Sequence, residues 1–235
     1  MKRKIVYLLS AAALCMSACD SDETIVTEAM IVKYYIGEYS AGNYRLYACE
    51  NKQSDFISEI RLSLEEAILY QLPERLNALN PEKFLRIAER NGDTNFNNYV
   101  WGVSFFSRRV FADNYSSVHL TSDRDWDALH PAGTYLDDIV SWVAYTYSEF
   151  IRSGYVKGKG SLEDGEYRYE VKLSEIQAKQ AEMISDEMGF CHSPRIRFLS
   201  APADEGPHTL TLTITTTEGK TYRPTITLRP EAYVP

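Results

Sequence analysis

Asp123, Asp125 and Asp127 stand at alternate positions, with His119 and His130 on either side of them. Three carboxylates at the first, third and fifth places of a loop match the opening of a calcium-binding segment, where hard oxygen ligands surround Ca²⁺. The later places of that template are filled differently. Ala128 replaces the sharp-turn glycine, and Thr134 stands where a bidentate glutamate would close the shell. The same aspartates can instead accept backbone N–H groups and order a long turn. Two readings therefore stand: Asp123, Asp125 and Asp127 as Ca²⁺ ligands, or as turn-forming acceptors. A zinc or acid–base role for His119 and His130 would need a third histidine, an HExxH or paired cysteines nearby, and none is present. Trp126, set inside this polar run, is the candidate exposed contact for a ligand.

Other catalytic signatures are missing. There is no GxSxG and no glycine-rich phosphate loop. No catalytic residue is assigned on this basis. Carboxylates paired by folding, as in glycoside hydrolysis, stay open because such pairs are spatial. The formal charge of -8 excludes the basic footprint that nucleic-acid binding requires.

The N-terminus carries an address. Lys2, Arg3 and Lys4 precede roughly a dozen mostly apolar residues, too few to cross about 30 Å of hydrocarbon as a helix. Met16-Ser17-Ala18-Cys19 then resembles the lipobox of bacterial lipoproteins, with Met16 in place of the usual leucine. The resemblance implies cleavage after residue 18 and lipidation of Cys19. Asp20-Ser21-Asp22-Glu23 resembles the acidic export signal of Bacteroidota lipoproteins, which implies an outer-membrane, lipid-anchored protein displayed at the cell surface; read as a plain solvated tether, the same acids leave a periplasm-facing anchor. Residues 1–18 hold three basic and no acidic side chains, so their removal takes the charge from -8 to -11. Such a body repels anionic headgroups, and contact with the membrane runs through the lipid alone.

Cleavage and lipidation leave Cys49 and Cys191 as the available thiols. In an oxidising compartment they form a disulfide or remain as two separate buried thiols. Neither lies in a CxxC, which excludes that redox motif.

The run from Val118 to Asp138 contains Thr-Ser-Asp-x-Asp-x-Asp followed by His-Pro-Ala-Gly-Thr-x-Leu-x-Asp. It resembles a pattern of uncharacterised Bacteroidota outer-membrane lipoproteins of unknown function. The resemblance implies a secreted, lipid-anchored domain and implies no activity.

Residues 1–18 read as signal peptide, 19–29 as lipidated tether and 30–235 as a single globular domain. Met30–Tyr39 and Tyr44–Cys49 are β-like, as is the run from Phe56, which then passes into a short helix limited by Pro73. Asn80-Pro81 opens a helix and Asn91-Gly92 closes it, with Phe84, Leu85, Ile87 and Ala88 as its apolar stripe. Tyr99–Phe106 alternates as a strand. Ile139, Trp142, Val143, Thr146, Tyr147, Phe150 and Ile151 recur at helical spacing, and a third helix is expected over Leu173–Met188. His208–Thr217 and Thr221–Leu228 alternate around Glu218-Gly219-Lys220, which predicts a C-terminal antiparallel hairpin. The expected class is α+β: a β-rich, sandwich-like body with about three inserted helices. The 17 Tyr suit sheet and core positions. The expected function is a non-catalytic binding or assembly module for a glycan or an envelope protein. A hydrolase of extracellular polymers and a structural envelope component are the alternatives.

Overall fold

Alternating side chains build most of this protein. The computed structural model describes residues 30–49, 55–75, 77–100, 108–159, 161, 165–186 and 192–234. In chain order the strands are β1 (Met30–Val32), β2 (Glu38–Ala48), β3 (Phe56–Ile57), β4 (Glu59–Gln71), β5 (Asn98–Val100), β6 (Arg109–Phe111), β7 (Tyr115–Ser122) and β8 (Val140–Thr146). They continue as β9 (Tyr167–Lys172), β10 (Arg195–Phe198), β11 (His208–Thr216), β12 (Thr221–Tyr222) and β13 (Thr225–Pro230). The helices are α1 (Pro81–Asn91) and the short α2 (Ser148–Arg152), with a 3₁₀ turn at Leu173–Glu175.

A six-stranded sheet runs β6-β2-β4-β10-β8-β9, and a second sheet runs β12-β11-β13-β3 with β7 on the other side of β11. Pairing is antiparallel except at β2–β6 and β13–β3. The two sheets face each other across one core. Leu46, Ile60, Leu62, Trp142, Ile196 and Phe198 come from the first sheet; Val118, Leu120, Leu210, Leu212 and Ile214 come from the second. A β-rich sandwich is thus the architecture. β11 shows why: every second residue from His208 to Thr216 is buried, and the threonines between them are half-exposed. A second core cluster gathers Tyr35, Ile36, Tyr39, Phe84, Val110, Tyr147 and Phe150 beneath α1 and α2.

Helix α1 forms where expected. Pro81 occupies its first turn, and Gly92 ends it at φ 75°, where its N–H bonds back to Ala88 O and Glu89 O. Asn80 does not cap through its side chain; it sits at φ 49° and its Nδ2 donates to Leu69 O at 3.2 Å. Phe84 and Ala88 are buried, whereas Leu85 faces water.

Three expectations of helix fail, each for a physical reason. Residues 63–71 stay in β4, where a bulge opposite Gly42 brings Glu66 to φ 50°. A Cβ on Gly42 would lie 3.1 Å from Glu65 O, so the close approach at the bulge favours glycine. Residues 140–146 form strand β8, with helix only over Ser148–Arg152. β8 lies between β9 and β10 with residues buried on both faces, so its apolar run has no alternation to separate it from a helix stripe. Beyond Leu173–Glu175 the described residues 176–186 form no helix. Ile184 bridges Thr146 and Ser185 bridges Val110, while Met183 turns at φ 46° into the second cluster. Burial there serves two separate cores and only looks periodic. The C-terminal hairpin forms, with its return strand broken at Pro224 into β12 and β13.

Candidate functional site

The aspartate run is a rigid turn beside β7. Asp123 Oδ1 accepts Thr209 N at 2.7 Å, Asp125 Oδ1 accepts Ala132 N at 2.8 Å, and Asp127 Oδ1 accepts Leu129 N at 2.8 Å and His130 N at 2.9 Å. Each carboxylate is spent on a different stretch of backbone. Among the described residues no group of three His, Cys, Asp or Glu side chains is gathered as a metal site, and the Ca²⁺ reading finds no converging oxygens here. The hydrogen bond from Thr209 N holds the Asp123 carboxyl below its usual value. His130 bridges two carboxylates, with Nδ1 2.8 Å from Asp127 Oδ1 and Nε2 3.0 Å from Asp138 Oδ1. Burial alone would lower this imidazole's pKa, but the two carboxylates carry it upward.

Trp126 is fully buried, against the expectation of an exposed contact. Its ring packs on Phe198 and His208 with centroids 5.5 and 5.6 Å away, and its Nε1 donates to Ser200 Oγ at 3.2 Å. The turn folds back over the end of the sandwich, and the indole plugs that end. A polar sequence neighbourhood did not mean a polar spatial one.

Two histidine pairs resemble catalytic fragments and are structural in geometry. His208 Nε2 donates to Asp204 O at 3.2 Å, so Nδ1 of the neutral ring accepts from the Ser122 hydroxyl at 2.8 Å, and Ser122 Oγ accepts Arg124 N at 3.1 Å. Ser122 and His208 are buried, and burial followed by the nearby Arg124 lowers the His208 pKa, favouring the neutral ring. In the second pair His119 is partly exposed and Asp137 is buried. His119 Nδ1 lies 2.7 Å from Asp137 Oδ2, and the Tyr135 ring stacks on the imidazole at 4.4 Å. Asp137 Oδ1 also accepts Leu120 N at 3.0 Å, which ties the pair to β7.

The carboxylates that folding brings together are neutralised by arginine. Arg197 donates to Glu59 Oε2 at 2.6 Å and to both oxygens of Glu170 at 2.9 and 2.8 Å, with Tyr233 4.2 Å from its guanidinium. Burial would raise the Glu170 carboxyl, but Arg197 and Arg168 hold it below the ordinary value. A general acid needs the opposite shift. Asp93 and Asp186 are each pushed up to about 6 by burial, yet both lie inside the protein. Asp93 accepts Tyr35 N and Ile36 N, each at 2.8 Å, and the Tyr155 hydroxyl at 3.0 Å.

Cys49 is half-buried, and burial followed by Glu59 pushes its thiol up to about 11, far from a reactive thiolate. Its proposed partner Cys191 lies outside the described residues, as do Cys19, the signal segment and Trp101.

A polar concavity lies elsewhere, between α1, the β2–β4 bulge and the turn after β11. It encloses about 270 Å³ and is lined by Ala41, Tyr70, Lys83, Arg86, Ile87, Arg90, Ala112, Asp113, Glu218 and Lys220. Lys83, Arg86 and Arg90 share one face of α1 through their spacing of three and four residues. Arg90 is fixed by Glu218 at 2.5 Å and by the Ala112 carbonyl. Lys83 Nζ lies 5.0 Å from the centre of the Tyr70 ring. Asp113 is held at the floor by the hydroxyls of Tyr222 at 3.0 Å and Tyr44 at 3.3 Å, both donating to its Oδ2. Burial, then Asp113, pushes the Tyr222 hydroxyl up to about 12, so it stays a donor.

The chain matches no protein-family model, no curated protein and no solved structure. Its groove therefore has to be read from its own chemistry. Sequence reasoning did not find these lining residues. The one local signal was the segregation of basic side chains at 83, 86 and 90 of a well-marked helix, with Glu82 and Glu89 on another flank.

Proposed function

We propose that this protein is a lipid-anchored lipoprotein of the outer membrane, displayed at the cell surface, whose folded body is a non-catalytic binding or assembly module for a glycan or another envelope protein. The anchor reading rests on the basic n-region, the short apolar run and Met16-Ser17-Ala18-Cys19, followed by the acids at Asp20, Asp22 and Glu23. The binding reading rests on one observation, the groove beside α1 with its fixed polar groups. Arg90, Glu218 and Asp113 are preorganised by internal partners, a property that lowers the ordering cost of capturing a ligand. The two carboxylates of that groove are already engaged, Asp113 by the Tyr222 and Tyr44 hydroxyls and Glu218 by Arg90, which favours binding over turnover.

The test is a glycan array together with co-purification from envelope fractions, using the full chain and an Arg86→Glu variant in parallel. A glycan or envelope protein captured by the wild type and lost by the variant supports the module. Neither being captured removes the reading.

A further inference from the structure

From the lining of this groove we infer that it takes an acidic sugar unit: a hydroxylated ring carrying a carboxylate, sulfate or phosphate. The inference deepens the binding-module reading and rests on it. The groove concentrates four cations, Lys83, Arg86, Arg90 and Lys220, against two carboxylates, Asp113 and Glu218, on a chain whose formal charge is -8. An acidic protein that gathers positive charge in a concavity creates a local potential opposite to that of its body, which draws anions to that place.

The cations differ in how they are committed. Arg90 is bound to Glu218 and to a backbone carbonyl, and the Lys220 ammonium lies 4.0 Å from Asp113. Among the described residues Lys83 and Arg86 have no ion-pair partner: Lys83 rests near the Tyr70 ring, and Arg86 reaches only the Glu82 carbonyl through Nε at 3.5 Å. Two exposed cations thus retain their donors, while Arg90 and Lys220 are already paired. An arginine offers a planar fork suited to an oxyanion, and a neighbouring lysine adds a point charge.

The two carboxylates argue for more than a bare anion. A site built for phosphate alone gains nothing from Asp113 and Glu218, which repel it. Both become useful when the ligand also brings hydroxyl donors, because carboxylates are strong acceptors for them. Ile87, Ala41 and Ala112 supply apolar surface for the C–H face of a ring. The volume of about 270 Å³ lies at the small end of ligand pockets, near ~300 Å³, and suits one ring of a chain rather than a large cofactor.

The experiment is calorimetric titration of the full chain with four probes: trigalacturonate, its methyl ester, a neutral galactose trisaccharide and inorganic phosphate. Trigalacturonate is chosen because each of its rings carries one carboxylate. Binding of trigalacturonate is expected to exceed that of its ester and of the neutral sugar. It is expected to weaken as salt shortens the screening length from ~10 Å at 0.1 M to ~3 Å at 1 M. A Lys83→Gln/Arg86→Gln variant should lose about 10- to 100-fold in affinity, the range for charged hydrogen bonds. Lys172→Gln, remote on β9, should bind as the wild type does, and circular dichroism melts check that both variants fold. The inference is overturned if the double variant binds trigalacturonate unchanged, or if phosphate alone binds as tightly. Ester or neutral sugar binding as well as the acid overturns the acidic ligand and leaves the module standing. Failure of all three saccharides here, with a blank array, removes both.

Discussion

His130 lies between two carboxylates, with Nδ1 2.8 Å from Asp127 Oδ1, and that same oxygen accepts the His130 backbone N–H. The side chain and its own main chain thus close on one acceptor, which locks the turn presenting Leu129 to solvent. The charged imidazole is favoured in the fold, so its pKa is raised. Its stabilising effect is fully present below the unfolded value near 6.5 and is lost as pH rises through the folded value. Asp127 acts at the other end: the His130 hydrogen bond lowers its carboxyl, so its contribution is lost only as pH falls through that lowered value. An NMR titration of His130 should give a midpoint above 6.5, with the Leu129 and His130 amides best protected between the two titrations. A midpoint at or below the ordinary histidine value contradicts the bridge.

Arg197 holds the outer face of the six-stranded sheet together. It sits between Glu59 on β4 and Glu170 on β9, nearly buried, and Glu59 is nearly buried with it. Removing one member of such a pair leaves an uncompensated charge, at a cost of about 3–5 kcal/mol. Arg197→Ala is expected to lose that much in urea unfolding. Combining Glu59→Leu with Arg197→Met should recover most of it, because the desolvated charges disappear together. A double variant as unstable as the single one would show that packing, not charge, is the loss.

Asp93 ties the chain between β1 and β2 to the loop after α1. Burial pushes its carboxyl up to about 6 even though three donors converge on it. A raised acid stabilises fully below its unfolded value near 3.9 and loses that contribution as pH rises through about 6. Asp93→Asn places an amide donor against a buried N–H and should cost about 1–3 kcal/mol at neutral pH. Chemical denaturation measures it, and a neutral substitution would mean that the three hydrogen bonds are dispensable.

The contrast between α1 and β8 shows what the chain discloses by itself. Pro81 and Gly92 mark the ends of α1 by backbone chemistry that tertiary contacts do not override. β11 is equally plain, because one of its faces is dry and the other wet. β8 has no wet face over most of its length, and without alternation its residues also fit a helix. Residues 176–186 mislead in another way: Ile184 and Met183 enter different cores, a division that only the fold imposes. The groove was hidden because Ala41, Tyr70, Asp113 and Lys220 meet α1 only after β2, β4, β6 and the last hairpin have assembled. Trp126 looked exposed because its sequence neighbours are acids, and those acids turn out to fasten the loop that buries it.

Cys19 carries the remaining prediction, which concerns the anchor. If the lipobox reading holds, each acyl methylene inserted into the membrane contributes about 0.8 kcal/mol, and the strongly acidic body adds no attraction of its own. Cys19→Ala should therefore move the protein almost wholly from the detergent phase to the aqueous phase on Triton X-114 partitioning. Intact mass of the wild type should show residues 1–18 removed and acyl mass added at Cys19. Replacing Asp20, Asp22 and Glu23 with asparagine or glutamine should leave cleavage and the acyl addition at Cys19 unchanged while abolishing accessibility to protease on whole cells. Retention of the Cys19→Ala chain in the detergent phase would point to an uncleaved apolar segment as the anchor instead. In that case the mass would still include Met1.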